Sequence, residues 1–166
     1  MRKPTASETS LYQPVCRWVH SFLSDRYSRS RIVVEDSHRS PLSTVIRRLG
    51  LHRTFPASEL WDIRIDVTGL VVGRKASRIA LVECKAGAPT LMHVCQLLGY
   101  SLVVKPSLAI LLSPEPPADS LAALLRVHGR YDILEYQKGR RLRIAQWDRG
   151  RNEVIPSSLL PPGEHF

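Results

Sequence analysis

The amino-acid sequence predicts a mixed α/β domain built on one central β-sheet flanked by helices. Three observations lead there. Apolar stripes at helical spacing alternate with short β-prone runs; Leu108-Ala109-Ile110-Leu111-Leu112 is wholly apolar and of strand length, as a strand buried on both faces must be; and 166 residues at 43% hydrophobic content supply one core. Residues 1–166 are read as a single domain, its core over about 8–148 and flexible tails at 1–7 and 156–166.

In chain order, Leu11, Val15, Trp18, Val19, Phe22 and Leu23 recur as one apolar stripe, which predicts a helix beginning between Ser7 and Ser10. Pro14 suits its first turn, where a missing N–H is harmless. Arg31 to Glu35 is β-prone; Ser40-Pro41-Leu42 opens a short helical pattern through Leu49 that Gly50 can cap; 51–60 reads as loop. Ile63 to Val72 and Ile79 to Lys85 are two strands of a hairpin, joined by the turn Gly73 to Ser77. After Gly87-Ala88-Pro89, Thr90 is placed to cap a helix from Leu91 to about Val104, with Leu91, Val94, Cys95, Leu98 and Leu102 on its inner face and Pro106 ending it. The apolar strand follows and should be reached by a right-handed crossover; Pro114, Pro116 and Pro117 stop it. Asp119 or Ser120 opens a helix through Arg126, and Tyr131 to Gln137 with Arg141 to Trp147 make a second hairpin before a Pro-rich tail.

Composition narrows the function. Lys and Arg outnumber Asp and Glu by 24 to 15, a net charge of +9, which favours a polyanionic partner. No stretch has the roughly 18 apolar residues a membrane span needs, and the basic N-terminus is not followed by an apolar segment, so no membrane association and a cytoplasmic location are expected. Cys16, Cys84 and Cys95 are too few for a disulfide framework or a four-cysteine cluster, the six histidines lack metal-ligand spacing, and the glycines form no phosphate-cradling motif. Trp18 and Phe22 are assigned to the core in preference to a base-stacking platform.

The chemistry concentrates in the first hairpin. Asp66 lies in one β-run and Glu83 and Lys85 at the end of the next, charges set among apolar residues. Residues two apart on a strand share a face, so Glu83 and Lys85 project together, and Asp66 opposite them would bring two carboxylates and an ammonium into one place. Two carboxylates, a backbone carbonyl, waters and a substrate phosphate would satisfy Mg2+. Lys85 could then hold a nucleophilic hydroxide or neutralise developing charge. Asp62 competes with Asp66, since four positions along a strand keep one face, and Glu35 and Asp36 are weaker alternatives.

An acid on one strand followed by acid-x-Lys on the next resembles the signature of the PD-(D/E)XK nuclease superfamily. Ile65-Asp66-Val67-Thr68-Gly69 is similar to its first acidic motif, with Ile65 where the pattern has proline, and Val82-Glu83-Cys84-Lys85 matches ExK. Glu8 falls where many members carry a further metal-associated glutamate, and Gln96-Leu97-Leu98-Gly99-Tyr100 resembles the QxxxY element of RecB-type exonucleases. The resemblance covers about residues 8 to 112. It implies a restriction-endonuclease-like domain and hydrolysis of DNA phosphodiesters with Mg2+, or Mn2+ in its place. Asp66, Glu83, Lys85, Gln96 and Tyr100 would be catalytic, and Glu8, Asp66, Glu83 and the Cys84 backbone carbonyl would hold the metal.

Basic clusters flank this centre, and Arg47, Arg48, Arg74, Lys75, Lys138, Arg140 and Arg141 are the expected DNA contacts, positioning the duplex without reading its sequence. The expected activity is that of an endonuclease in DNA repair, recombination or restriction, working as a homodimer if it cuts both strands. The alternatives are an exonuclease or single-strand processing nuclease, and a non-catalytic nucleic-acid-binding subunit that retains the fold.

Overall fold

The computed structural model describes residues 7–163. The predicted tail segments 1–6 and 164–166 lie outside them. Helix α1 (Thr9–Arg26) leads into β1 (Arg31–Asp36), α2 (Leu42–Arg48), a 3-10 turn, and the hairpin β2 (Val67–Val72) and β3 (Arg78–Cys84). Helix α3 (Leu91–Val104), β4 (Leu108–Ser113) and α4 (Asp119–Ala122) follow, the last running into a π-helical turn to Val127. The chain ends with β5 (Glu135–Gln137), β6 (Arg140–Arg141), β7 (Arg143–Asp148), β8 (Glu153–Val154) and a closing 3-10 turn.

Six strands form one mixed sheet in the order β1-β2-β3-β4-β7-β8, while β5 and β6 pair separately. β1, β2 and β3 are antiparallel neighbours, β3, β4 and β7 run parallel, and β8 turns back along β7. Because side chains alternate across a strand, each central strand feeds two cores. Ile79, Leu81, Ala109 and Leu111 pack on one face with α2, α3 and α4 residues such as Ile46, Val94, Leu97 and Leu121. Ala80, Val82, Cys84, Ile110 and Leu112 pack on the other with Leu11, Val15, Val19 and Leu23 of α1. All six residues of β4 are buried, as its wholly apolar sequence requires.

Several expectations change. Pro14 lies in the second turn of α1, so the bond from position 14 back to the exposed Ser10 carbonyl is missing. Residues 63–66 precede β2 instead of belonging to it, because their backbone is engaged elsewhere: Leu42 N–H donates to the Ile63 carbonyl (2.8 Å), Ser37 Oγ to the Ile65 carbonyl (2.7 Å) and Ser37 N–H to the Asp66 carbonyl (2.8 Å). Helix α3 buries Val94, Leu97, Ser101 and Val104, whereas Leu91, Cys95 and Leu102 face outward. Its sequence is apolar almost all round, so periodicity could not choose the inner face. The second hairpin shrinks to β5 and β6, because β7 leaves it to extend the sheet beside β4. The tail is packed where described: Leu160 exchanges backbone bonds with Ile144 (2.9 and 3.0 Å) and is buried. Trp18 and Phe22 are half-buried, stacked at 5.5 Å between ring centres, with Trp147 edge-on to Trp18.

Gly69 in β2 sets how closely α1 lies on the sheet. A methyl group at this position would stand 2.7 Å from Leu23 Cδ1, 3.1 Å from Val19 Cγ1 and 3.3 Å from Ala80 Cβ, all buried. Gly69→Ala is therefore expected to destabilise the domain by about 1–3 kcal/mol through overpacking. Urea denaturation of the two proteins measures this, and a loss smaller than a few tenths of a kcal/mol would mean that α1 shifts freely.

Candidate active site

Asp66, Glu83 and Lys85 meet at the end of the sheet where β1 and β3 finish and β2 begins. Val67 pairs with Val82, so one further step of the same register sets Asp66 opposite Glu83, and the next sets Ile65 opposite Cys84. The ladder does not continue by backbone. Asp66 Oδ2 instead accepts the Cys84 N–H at 2.8 Å. N–H and C=O of one strand residue point to the same side, so the Cys84 carbonyl faces the Asp66 side as well.

Lys85 Nζ lies 2.8 Å from Glu83 Oε1 and 3.3 Å from Oε1 of Glu8, the residue before α1. On α3, Gln96 Nε2 donates to Glu83 Oε1 at 3.0 Å and to Tyr100 Oη at 3.2 Å, as their four-residue spacing allows. All five sequence-predicted catalytic residues and Glu8 are thus linked in one hydrogen-bonded cluster, with Asp66 joined through Cys84. Asp62 is exposed and stands apart, since the loop before β2 does not keep strand periodicity. Glu35 pairs with Arg48 at 2.8 Å, and Asp36 holds Nδ1 of His38.

Asp66 and Glu83 are buried carboxyls, 8% and 3% exposed. Burial pushes the Glu83 carboxyl up to about 7, with repulsion from Asp66 adding to it and Lys85 opposing it. Burial also raises Asp66, against the stabilising bonds from the Cys84 N–H and the Tyr12 hydroxyl. Lys85 is held charged: its contact with Glu83 outweighs burial and raises its pKa. Among the described residues, Glu83 Oε2 is buried without a hydrogen-bond partner. Such an orphaned oxygen beside a second desolvated carboxylate suits a cation. Among the described residues no three His, Cys, Asp or Glu side chains form a metal cage by themselves. Mg2+ rarely needs one, because water and substrate oxygens complete its shell around one or two carboxylates. The donor set therefore fits a hard divalent cation.

Sequence reasoning missed three neighbours. Tyr12, four residues after Glu8 and so on the same helix face, hydrogen-bonds Asp66 and packs its ring 4.7 Å from that of His38. His38 follows β1, and the Asp36-x-His38 spacing was its only sequence signal. His93, whose Nδ1 accepts the Thr90 N–H at 3.1 Å, is held neutral by burial and by Lys85.

The expected DNA contacts divide between the two ends of the sheet. Arg48 lines a recess of about 450 Å3 with Asp36, His38 and Arg39 beside the carboxyl cluster, and Arg47 precedes it on exposed helix surface. Arg74 and Lys75 occupy the β2–β3 turn, and Lys138, Arg140 and Arg141 the β5–β6 hairpin, at the opposite end. The length of β3 separates the groups, roughly 20 Å at 3.3 Å per residue. Comparisons of the chain with protein-family models, curated proteins and solved structures find no match.

Because Glu83 and Asp66 are raised in the folded state, the folded protein binds protons more tightly than the unfolded chain above the ordinary carboxylate range. Metal-free stability should therefore fall as pH rises from about 4.5 to about 7. For Glu83 alone this amounts to about 3 kcal/mol. Urea midpoints at pH 5 and pH 8 in chelator should show this loss in the parent and a much smaller one in Glu83→Gln. Equal pH dependence in the two proteins would contradict the burial assigned to Glu83.

Proposed function

We propose that this chain is a metal-dependent nuclease of the PD-(D/E)XK type, with a restriction-endonuclease-like domain that hydrolyses DNA phosphodiester bonds. The observation that carries the reading is the convergence of Asp66, Glu83 and Lys85 at one sheet end, with a buried Glu83 oxygen that has no partner among the described residues. A structural ion pair would explain Lys85 and one carboxyl. It leaves the second carboxyl, the orphaned oxygen and the glutamine on Glu83 without a purpose.

In this reading Asp66, Glu83 and the Cys84 carbonyl would hold Mg2+ or Mn2+, which would supply positive charge for the phosphate and acidify a water. Gln96 steadies Glu83 and is itself backed by Tyr100, which fixes the carboxylate's orientation. Tyr12 and the Cys84 N–H do the same for Asp66. Lys85, 15% exposed and bridging Glu83 and Glu8, presents its ammonium to the phosphate, where charge develops in the transition state. Glu8 acts through Lys85, its contact in the cluster.

Net charge of +9 and the arginines beside the recess support DNA as the substrate. Among the described residues no helix is long and apolar enough to cross a membrane. A two-fold dimer is the assembly that cutting both strands would favour. The alternative of an exonuclease or single-strand processing enzyme draws on the Gln96 and Tyr100 pair, and circular against linear substrates separate the two.

Glu83→Ala and Asp66→Ala are each expected to lower Mg2+ affinity and to reduce cleavage by about a hundredfold or more, with DNA binding retained without metal. Lys85→Ala should keep metal binding while the chemical step slows by a similar factor. Nicking assays beside calorimetric metal titration distinguish these outcomes, with circular dichroism confirming the fold. Full activity in folded Glu83→Ala and Lys85→Ala proteins would overturn the nuclease reading. DNA affinity should also fall with salt, with a log-log slope of about −0.9 per phosphate neutralised, and Arg48→Ala should flatten it by about one such unit. Salt-independent binding would argue against a nucleic-acid substrate.

A further inference from the structure

Helix α3 turns an apolar face to water. Its Leu91, Met92, Leu102 and Val103 are 43%, 74%, 58% and 55% exposed, and among the described residues Leu60 and Val127 are the other large hydrophobics left in the open. At 3.6 residues per turn these four fall with Cys95 and Gly99 within an arc of about 120°, opposite the buried Val94, Leu97, Ser101 and Val104. None of the 14 residues of α3 is Asp, Glu, Lys or Arg, in a chain where those four types make up 23%. A surface helix ordinarily carries its charges on the face away from the core. A charge-free outer face exposes apolar area at a cost that only a covering surface removes.

Gly99 adds a separate indication. It is exposed in the interior of the helix, and a Cβ there would meet nothing within 4 Å. Glycine is the poorest helix former after proline, and packing within the chain gives no reason for it here. Close approach of a second helix does, since a small residue at a crossing brings the two backbones together. The order of side chains along the face says which helix that is. Large residues stand at both ends and small ones between, paired at equal distances from Leu97: Leu91 with Val103, Met92 with Leu102, and Cys95 with Gly99. A two-fold axis through an antiparallel pair of identical helices imposes this pattern, because each residue then meets its counterpart from the other end. Charge favours the same partner. Each copy carries +9, and α1 and α2 expose Arg17, Arg26 and Arg47, whereas two α3 helices meet without opposing like charges.

We propose that α3 is the interface of a two-fold homodimer, crossing α3 of a second copy near Leu97. Gly99 then lies against Cys95 of the second copy, and Met92 against Leu102 of the second copy, once on each side of the axis. A helix of this length spans about 21 Å, so the contact falls short of the roughly 800 Å2 per partner of a standard interface. The dimer is therefore reversible, with a Kd of roughly micromolar order. The proposal does not depend on the nuclease reading.

The test is sedimentation velocity of the full chain from about 1 to 500 μM, a range that brackets such a Kd. The parent should pass from monomer to dimer as concentration rises. Met92→Lys and Leu102→Glu replace exposed side chains, so circular dichroism should remain unchanged while each weakens the dimer by about tenfold or more. An equimolar mixture of these two variants should dimerise more tightly than either alone, because the introduced lysine and glutamate face each other across the axis. Gly99→Leu has room within its own chain and improves helix propensity, so Tm at low concentration should hold or rise while dimerisation weakens. Non-specific apolar sticking would respond in the opposite sense. A parent that stays monomeric throughout the range would overturn the proposal and leave the face to a different protein. Dimerisation unchanged in Met92→Lys and Leu102→Glu, no gain on mixing them, or a tighter dimer in Gly99→Leu would each overturn it as well.

Discussion

Two carboxyls buried side by side at a sheet end are an unfavourable arrangement, and much of the surrounding structure compensates for it. Asp66 and Glu83 are both nearly inaccessible to water; burial raises the pKa of each, and repulsion from Asp66 raises that of Glu83 further. The Cys84 N–H and Tyr12 hydroxyl stabilise Asp66; Lys85 and Gln96 stabilise one oxygen of Glu83. Each partner comes from a different element: α1, β3, the residue after β3, and α3. Among the described residues, nothing donates to the second Glu83 oxygen. A network that satisfies every oxygen but one is built for a further partner more readily than for stability alone, since a half-satisfied buried network is inferior to apolar packing.

The two cores make this convergence possible. α1 must lie close on one face for Glu8 and Tyr12 to reach the sheet end, and Gly69 provides that proximity beneath Val19 and Leu23. On the other face α3 packs through Val94 and Leu97, which turns Gln96 and Tyr100 toward Glu83. The cluster therefore sits where both layers end, and the interior side chains that position it are apolar and remote from any chemistry.

Positive charge divides along the same axis. Arg39 and Arg48 stand beside the carboxyl cluster, where Glu35 and Asp36 temper them; Arg74, Lys75, Lys105 and Arg140 lie at the far end, away from those carboxylates. A duplex lying over the cluster would reach the distant group only about six base pairs away, at 3.4 Å per base pair. Treating all basic residues as one contact surface therefore conflates two environments with different counter-charges.

The sequence by itself determined the fold class and which residues of the candidate site share a strand or helix face. The wholly apolar run at 108–112 reads as a buried central strand, and the two-residue spacing at the end of β3 places Glu83 and Lys85 on one side, because strand periodicity is a local property. The four-residue spacing of Gln96 and Tyr100 likewise set them on one helix face. Tertiary structure decided what local pattern could not rank. Helix α3 is apolar almost all round, so only packing on the sheet chose Val94, Leu97 and Ser101 over Leu91, Cys95 and Leu102 as its inner face. Residues 63–66 have strand-like sequence, yet Ser37 and the start of α2 take their carbonyls, and this withdraws Asp66 from the ladder and aims it at the Cys84 N–H. β7 left its local hairpin for the edge of β4, and Leu160 joined Ile144, because burying apolar strand faces against a distant neighbour outweighs a short polar turn. Tyr12, His38 and His93 joined the site for the same reason: their partners are remote in sequence and adjacent only once the two layers close on the sheet.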